Sequence, residues 1–454
     1  MADVEETIKK IRETYLKFGS PFVIGYSGGK DSTTVLELVW RALENVELRS
    51  PVYVVFADTK MEIPSVVEFV DSLFEKINEK ALQAGKPFYA VKLEPSLEKR
   101  FWVNVLGKGY PAPSRTFRWC TSKLKVEPTN KFVKELIKSY GKVVIALGVR
   151  LLESQNRRRT IQKYHLEGDF IKHNDIKSAL IYAPIKDWSA EDVWEFLLSS
   201  QSSFGIDHYE LYTLYRQSEG ECPVVAEFSN QTSVSCGNSR FGCWICTVVK
   251  KEKSLTNLAK TNQEYLRLLD FRQELLEVSR EPQSRSIKRR DGRIWRKNGV
   301  IQRGPLLLDV RRKLLKKLLL IQKQTSLSLI DEQELLKIRE IWLNEDDWED
   351  SVNKIYEEVY GKRLTTDVQH FVFSEQDKLA LHPLIIRLIT AYQRGLSLKK
   401  VLAEDWDIPF EKKPINLTDT QKDFLKKLMQ ELLKLNPETK NLSFALELLS
   451  ELTS

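Results

Sequence analysis

The first 200 residues predict an α/β fold built on a doubly wound, mostly parallel sheet, and the remainder predicts a cysteine-rich loop region followed by a largely α-helical part. Three observations carry this. Short β-branched runs alternate with helical patterns up to about residue 200. The first such run leads through a double-glycine turn straight into a helix. Beyond residue 255 the strand-like runs give way to long charged helical patterns such as LRLLDFRQELLEVS and VRRKLLKKLLLIQKQ.

The opening MADVEETIKKIRETYLKFG reads as an amphipathic helix, acidic and then basic, with no apolar core of a secretory signal. Strands are predicted over Phe22–Tyr26, Val52–Phe56, Phe88–Leu93, Val143–Val149 and Leu180–Tyr182. Helices are predicted over 31–46, 64–84, 126–140 and 189–199, the last with Ser189 as N-cap and Asp192 three residues on, a relative of the capping box. Residues 201–254 break into Ser, Gly, Asn and Cys with no sustained periodicity, as a loop-rich metal-binding segment would. The expected organisation is therefore residues 1–200 as the α/β domain, 201–254 as a cysteine-rich segment, 255–330 as a basic helical segment and 331–454 as an acidic helical region.

At 454 residues the chain is too long for one ordinary core. Its 42% apolar and 10% aromatic content exclude a largely disordered chain. With 30% charged residues, a mean hydropathy of −0.35 and no apolar window of spanning length, a membrane protein is excluded too, and the cytoplasm is the expected compartment. The net charge of +8 is unevenly spread. Between Arg280 and Lys323 there are 15 Lys and Arg against three acids, so the rest of the chain is slightly acidic. A segment so charged commonly faces a phosphate backbone, with Arg289, Arg290, Arg293 and Arg296 as contacts and Trp295 either stacking on a base or anchoring the loop in the core.

The turn after the first strand is Ser27-Gly28-Gly29-Lys30-Asp31-Ser32. Two glycines let the backbone approach an anion, the helix start offers unpaired N–H groups and a positive dipole end, Lys30 adds charge, and Ser27 and Ser32 add hydroxyls. It is not a Walker loop, which needs four residues between its two glycines, directly before Lys-Ser/Thr. Asp31 either orients Mg²⁺ on the phosphates or caps the helix.

The five cysteines are an odd number and make no disulfide framework. Cys120 stands alone, whereas Cys222, Cys236, Cys243 and Cys246 crowd together, and none follows. Cys243-Trp-Ile-Cys246 aims two sulfurs one way, which suits zinc, an iron–sulfur cluster or a redox dithiol, or simply a buried inert pair; the residues alone leave these open.

The phosphate turn resembles the pyrophosphate loop of the ATP pyrophosphatases, with their adenine nucleotide alpha-hydrolase-like fold. Asp58-Thr59, with Glu62 and Pro64, looks like the second-strand motif of the PAPS-reductase-like (sulfonucleotide-reductase) branch. So do Arg118-Trp119-Cys120-Thr121 followed by Lys123, Lys125 and Pro128, then Gly148-Val149-Arg150 with Glu153, Ser154 and Arg157, and Pro184–Trp188 before Asp192-Val193-Trp194. The resemblance implies that Ser27, Gly28, Gly29, Lys30, Asp31, Ser32, Asp58, Thr59, Arg150 and Arg157 bind ATP with Mg²⁺, and that Lys30, Asp31 and Arg150 serve catalysis. It also implies a 4Fe–4S cluster on Cys120, Cys243 and Cys246. Trp119 stands where that branch has a second cysteine, so a fourth thiolate must come from Cys236, preferred for its nearness, or from Cys222, otherwise a spare thiol free to carry sulfur in catalysis.

Together with the later RRDGRIWRKNGVIQRGPLLLDVRRK stretch, these motifs resemble the DndC-type sulfurtransferases of bacterial DNA phosphorothioation. That resemblance implies adenylylation of a DNA backbone phosphate, replacement of a non-bridging oxygen by sulfur, a cysteine desulfurase as donor and other phosphorothioation subunits as partners. Transfer-RNA thiolation is the nearest enzymatic alternative. A sulfonucleotide reductase is disfavoured by the lack of a C-terminal cysteine, and an ATP- and cluster-dependent DNA-binding regulator is the non-enzymatic alternative.

Overall fold

The computed structural model describes residues 2–153, 155–173, 175–219, 242–248, 253–325, 327–345, 347, 349–364, 381–393, 397–404, 406, 417, 419–435 and 441–453. An α/β unit opens the chain, and it runs α1 (Val4–Phe18), β1 (Phe22–Tyr26), α2 (Lys30–Leu43), β2 (Val52–Ala57), α3 (Pro64–Gln83), β3 (Phe88–Leu93), α4 (Glu127–Tyr140), β4 (Val143–Leu147), α5 (Gln155–Tyr164), β5 (Phe170–Lys172), β6 (Ala179–Tyr182), α6 (Ala190–Ser199) and α7 (His208–Glu219). The helical part follows as α8 (Lys253–Thr261), α9 (Gln263–Arg280), a hairpin of β7 (Trp295–Lys297) and β8 (Val300–Gln302), α10 (Leu308–Thr325), α11 (Glu332–Leu343) and α12 (Ser351–Tyr360). The last helices are α13 (Pro383–Gln393), α14 (Leu398–Leu402), α15 (Asp419–Leu433) and α16 (Leu442–Thr453).

The sheet has the order β3-β2-β1-β4-β6-β5, parallel except for β5. The chain adds β2 and β3 on one side of β1, then crosses to β4 on the other, which makes the β1–β4 gap a topological switch point. The five predicted strands and the mostly parallel, doubly wound class agree with the structure. Alternation along each strand divides the two faces: Phe22, Ile24, Val52, Val54 and Val144 point into the main core, while Val23, Val55, Val143 and Ile145 join Val133 and Leu136 of α4 on the other face. Ser189 and Asp192 close a full capping box on α6.

Three features differ from expectation. β5 is a short antiparallel edge strand that no pattern announced, paired to β6 through Ile171 and Ile181. The stretch 201–254 contains helix α7, whose buried Leu211, Tyr212 and Tyr215 sit at helical spacing and pack on the main core. The basic stretch 255–330 is not helical throughout, because Gly292 and Gly299 take positive φ and turn residues 289–302 into the β7–β8 hairpin.

The main core is one cluster running from Ile8 to Val359, so α9 to α12 pack on the same apolar body as the sheet. Two tryptophans fasten this junction: Trp102 donates Nε1–H to the Leu329 carbonyl at 2.7 Å, and Trp342 donates to the Leu106 carbonyl at 2.7 Å. A separate cluster of Leu and Ile side chains from Leu381 to Leu449 holds α13 to α16 together. No helix among the described residues is long and apolar enough to cross a membrane.

Candidate functional site

Parallel strands end together, and the loops after β1, β2 and β4 therefore leave the same carboxyl edge of the sheet. The first is the Ser27–Ser32 turn. Gly28 has φ +75°, a conformation open to glycine, and any Cβ there would crowd Val66 and Val70 of α3. Gly29 is the N-cap of α2 without any side-chain cap, which leaves the helix start to the backbone. Ser32 Oγ accepts from the Ser27 N–H at 3.2 Å and donates to the Gly29 carbonyl at 2.9 Å, closing the turn on itself.

The third loop locks onto the first. A Cβ on Gly148 would stand 2.6 Å from the Asp31 backbone, so only glycine permits the approach. Two residues later, buried Arg150 donates Nε–H to Asp31 Oδ1 at 2.6 Å, and Lys30 Nζ lies 3.6 Å from Asp31 Oδ2. Asp31 thus faces a cation through each oxygen. In this arrangement it does not cap α2; it ties the two loops across the switch point.

Sequence reasoning missed the residue that covers the turn. Tyr215 of α7 accepts a hydrogen bond from the Lys30 N–H at 3.2 Å, and the Lys30 ammonium sits 5.2 Å from its ring centre. Lys30 is consequently only 5% exposed. The signal was the aromatic spacing of Tyr209, Tyr212 and Tyr215, which marks a helix face but not its neighbour.

On the second loop, buried Asp58 accepts the Lys60 N–H at 2.7 Å and lies between the ammonium groups of Lys60 and Lys92, at 3.8 and 3.6 Å. Lys60 has φ +61°, a strained position for a side-chain-bearing residue that this bond helps hold. Thr59 faces the cysteines: its Oγ1 is 3.3 Å from Cys243 Sγ and donates to Glu62 Oε1 at 3.1 Å. The Cys243–Cys246 turn docks here through an isolated bridge between Glu62 and Cys243 and a Trp244 N–H bond to the Met61 carbonyl at 2.9 Å. Trp244 is buried against Trp102 and Phe271.

Cys120 arrives from the other direction, just ahead of the π-helical turn Thr121–Val126. Burial pushes the Cys120 thiol up, with a further push from Cys246. Burial also raises Cys243, reinforced by the Glu62 carboxylate. Lys125, 3.1 Å from Glu62, responds oppositely: loss of solvent works against its charge, but Glu62, Cys243 and Cys246 together hold it above the usual lysine range. The structure therefore brings Cys243 and Cys246 beside the Lys125 ammonium, with Cys120 on the side of Cys246. This donor set, soft thiols with a charge-balancing ammonium, fits a soft metal centre, although among the described residues no three ligands yet stand in a metal-holding arrangement. Cys222 and Cys236 lie outside the described residues. So does the Arg157 side chain, on α5, where Arg158 and Arg159 are exposed.

Trp119 is a core residue, stacked on Phe101 at 5.4 Å and donating to the Pro111 carbonyl at 3.1 Å. In the hairpin, Trp295 is half exposed with the Arg289 guanidinium 5.0 Å from its ring, so it anchors nothing in the core.

A glycine turn suited to an anion thus lies at the switch point of the sheet, with cysteine thiols at the same edge. The chain matches the model of the phosphoadenosine phosphosulfate reductase domain over residues 21–249, half of its length, and it belongs to that family. Two uncharacterized proteins of Methanocaldococcus jannaschii are similar. One is 31% identical over 195 residues, covering 43% of this chain and 35% of the relative; the other is 26% identical over 268 residues, covering 59% and 49%. The chain thus spans between a third and a half of the length of these relatives. Among solved structures, a phosphoadenylyl-sulfate reductase from Candida auris in its phosphate complex aligns with a TM-score of 0.27 at 13% identity, over 44% of this chain and 87% of that one. The U34-tRNA thiolase NcsA of Methanococcus maripaludis with its 4Fe–4S cluster aligns with a TM-score of 0.28 at 14% identity, over 55% and 89%.

Proposed function

We propose that this chain is an ATP-dependent sulfurtransferase acting on nucleic acid, of the DndC type that replaces a non-bridging oxygen of a DNA phosphate by sulfur. The observation that supports the reading is the 3.3 Å approach of Cys243 to Thr59 at the same sheet edge as the Ser27–Ser32 turn, a thiol on the edge that carries the glycine turn. In the first step a non-bridging phosphate oxygen attacks the α-phosphorus of ATP, the α–β bond breaks, and pyrophosphate leaves. Its charge is met by the N–H groups at the start of α2 and by the Lys30 ammonium. Arg150 keeps the two loops registered through Asp31. In the second step hydrosulfide attacks the activated phosphorus and AMP departs with the former oxygen. The hydrosulfide derives from a cysteine desulfurase persulfide reduced by thiols, and other phosphorothioation subunits deliver the DNA.

Cys120, Cys243 and Cys246, with Cys236 as fourth thiolate, are the residues that would hold a 4Fe–4S cluster, and such a group supplies a soft iron site for sulfur. Cys222 is then the thiol left to carry sulfur.

The test is anaerobic purification with iron and sulfide analysis, followed by pyrophosphate release from ATP with DNA and with transfer RNA. Release with DNA is expected, and it should vanish in Lys30→Ala. Because Lys30 is buried under Tyr215, the variant's melting temperature must be read alongside. Release with transfer RNA alone would move the chain to RNA thiolation. ATP binding without release on either would leave a nucleotide-dependent DNA-binding regulator.

A further inference from the structure

A cavity of about 1010 Å³ lies apart from the phosphate turn, between the loop 109–117, the end of α9 and the base of the β7–β8 hairpin. Its walls are pinned. The Leu306 N–H donates to the Gly109 carbonyl at 2.7 Å, the Ala112 N–H to Ser279 Oγ at 2.8 Å, and Thr247 Oγ1 to the Pro113 carbonyl at 2.6 Å.

Six arginines line it, Arg115, Arg280, Arg285, Arg289, Arg290 and Arg303, and no Asp or Glu does. Three of them have partners in the protein. Arg285 donates to the Gly304 and Arg303 carbonyls at 2.9 and 2.6 Å, Arg289 lies over Trp295, and Arg290 reaches the Lys108 carbonyl and stands 3.7 Å from Glu345. For Arg115, Arg280 and Arg303 no carboxylate lies within ion-pair distance among the described residues. Like charges gathered in a walled space repel one another, and an anion threading between them relieves that repulsion. Guanidinium groups also suit phosphate oxygens through paired hydrogen bonds.

Two further features narrow the anion. Tyr110 and Phe117 face the same cavity, with ring centres 6.4 Å apart, and Phe117 is 46% exposed. An aromatic wall inside a cavity meets the face of a base only when that base has left its stack. The cavity's lining runs on in the chain to the cysteines: Phe117 lies three residues before Cys120, and Thr247 directly follows Cys246.

We propose that this cavity binds an unpaired nucleic-acid strand, with Arg115, Arg280 and Arg303 on its phosphates and Phe117 stacking on a base, and so delivers the strand to the cysteines. The proposal rests on the reading of the chain as acting on nucleic acid and adds the form of the substrate: a locally single strand in place of an intact duplex.

The experiment measures fluorescence anisotropy of a fluorescein-labelled single-stranded oligodeoxynucleotide of mixed sequence and of the same strand in a duplex, over a salt series without ATP. The single strand should bind more tightly. The triple variant Arg115→Ala, Arg280→Ala, Arg303→Ala should flatten the log-affinity against log-salt slope for the single strand by about 2, since each phosphate contact contributes about 0.7. Phe117→Ala, at an exposed position that folding does not need, should weaken single-strand binding about tenfold and duplex binding hardly at all. An unchanged slope in a folded triple variant overturns the proposal, as does a duplex bound as tightly as the strand. Binding of adenosine 3′,5′-bisphosphate that the triple variant abolishes, with no strand binding, would assign the cavity to a free nucleotide instead. Strand binding as described without pyrophosphate release would sink the enzymatic reading and spare this one; release with an unchanged slope would do the reverse.

Discussion

The β7–β8 hairpin and helix α10 are neighbours in sequence and alike in charge, but their cations meet different surroundings. On α10, Arg311 donates to the Gly107 carbonyl at 2.5 Å and pairs with Glu345 at 2.5 Å, Arg312 pairs with buried Asp347 at 2.5 Å, and Lys316 pairs with Glu358 at 2.6 Å. The acids come from the stretch after residue 330, which reads in sequence as an uninformative acidic tail. In the hairpin, residues 289–300 are exposed throughout, and Asp291, paired with Arg293 at 3.0 Å, is the single acid between Arg285 and Arg303. A run of positive charge therefore says nothing by itself about partners. Here one half is neutralised within the fold, and the other half, apart from Arg290 beside Glu345 and Arg293 beside Asp291, stays exposed to solvent.

The largest effect that separates the two regions should come from Arg311→Ala. The arginine is 5% exposed, and its loss strands the Gly107 carbonyl and removes the buried partner of Glu345. Breaking such a pair costs about 3 kcal/mol, read as a drop in denaturant midpoint. Arg293→Ala in the hairpin should change stability by no more than about 0.5 kcal/mol. Equal losses at both positions would erase the distinction.

Binding should rank the regions in the opposite order. Replacing Arg289, Arg293 and Arg296 by alanine should leave the melting temperature unchanged while flattening the salt dependence of duplex DNA binding, by about 0.9 in slope for each phosphate left without its arginine. Replacing Lys313 and Lys316 of α10 should leave that slope alone. A slope that falls with the α10 changes and not with the hairpin changes would place the nucleic-acid face on the wrong element.

What the sequence makes legible follows the range of the interactions involved. Strands β1 and β3 and the α6 capping box depend on patterns within a few residues, and they stand where those patterns put them. The same holds for the glycine turn. Tyr215 on Lys30, Arg150 on Asp31 and Cys243 on Thr59 join residues far apart in the chain, and no local spacing encodes which partner each finds. Cys120 and the Cys243–Cys246 pair stand out by residue type, but the arginine-lined cavity next along the chain from them depends on how the 109–117 loop meets α9. The π-helical turns at Val103–Gly107 and Thr121–Val126 escape sequence reading for the same reason.

A buried pair in the α/β unit extends the contrast to pH. Glu37 is fully buried and accepts from Ser202 Oγ at 2.8 Å and from the Ser203 N–H at 2.9 Å, with His208 Nε2 at 3.2 Å. Burial alone would raise its pKa, but His208 and the serines hold it below the ordinary value. Burial would likewise lower His208, but Glu37 and the Leu197 carbonyl lift it above. The Glu37 contribution is thus present above the usual carboxylate pKa and lost as pH falls through its lowered one. The His208 contribution is present below about 6.5 and lost as pH rises through its raised one. Urea midpoints should peak between these limits, and His208→Gln should flatten the alkaline side; a peak unchanged in that variant would mean that the pair does not govern it.

The smallest effect lies on α10 itself and guards against counting every ion pair alike. Lys316 and Glu358 stand 2.6 Å apart, closer than Arg290 and Glu345, yet their side chains are 51% and 55% exposed. Water screens such a pair, and holding two long side chains in one geometry costs entropy, so exposed pairs contribute about 0–1 kcal/mol. Lys316→Ala should therefore move the denaturant midpoint by a few tenths of a kcal/mol at most, and added salt should remove even that. If it costs as much as Arg311→Ala, then charge pairing alone, and not burial of the partner, is what fastens α10 to the acidic helices, and the division between α10 and the hairpin would need to be redrawn on distance and not on solvent.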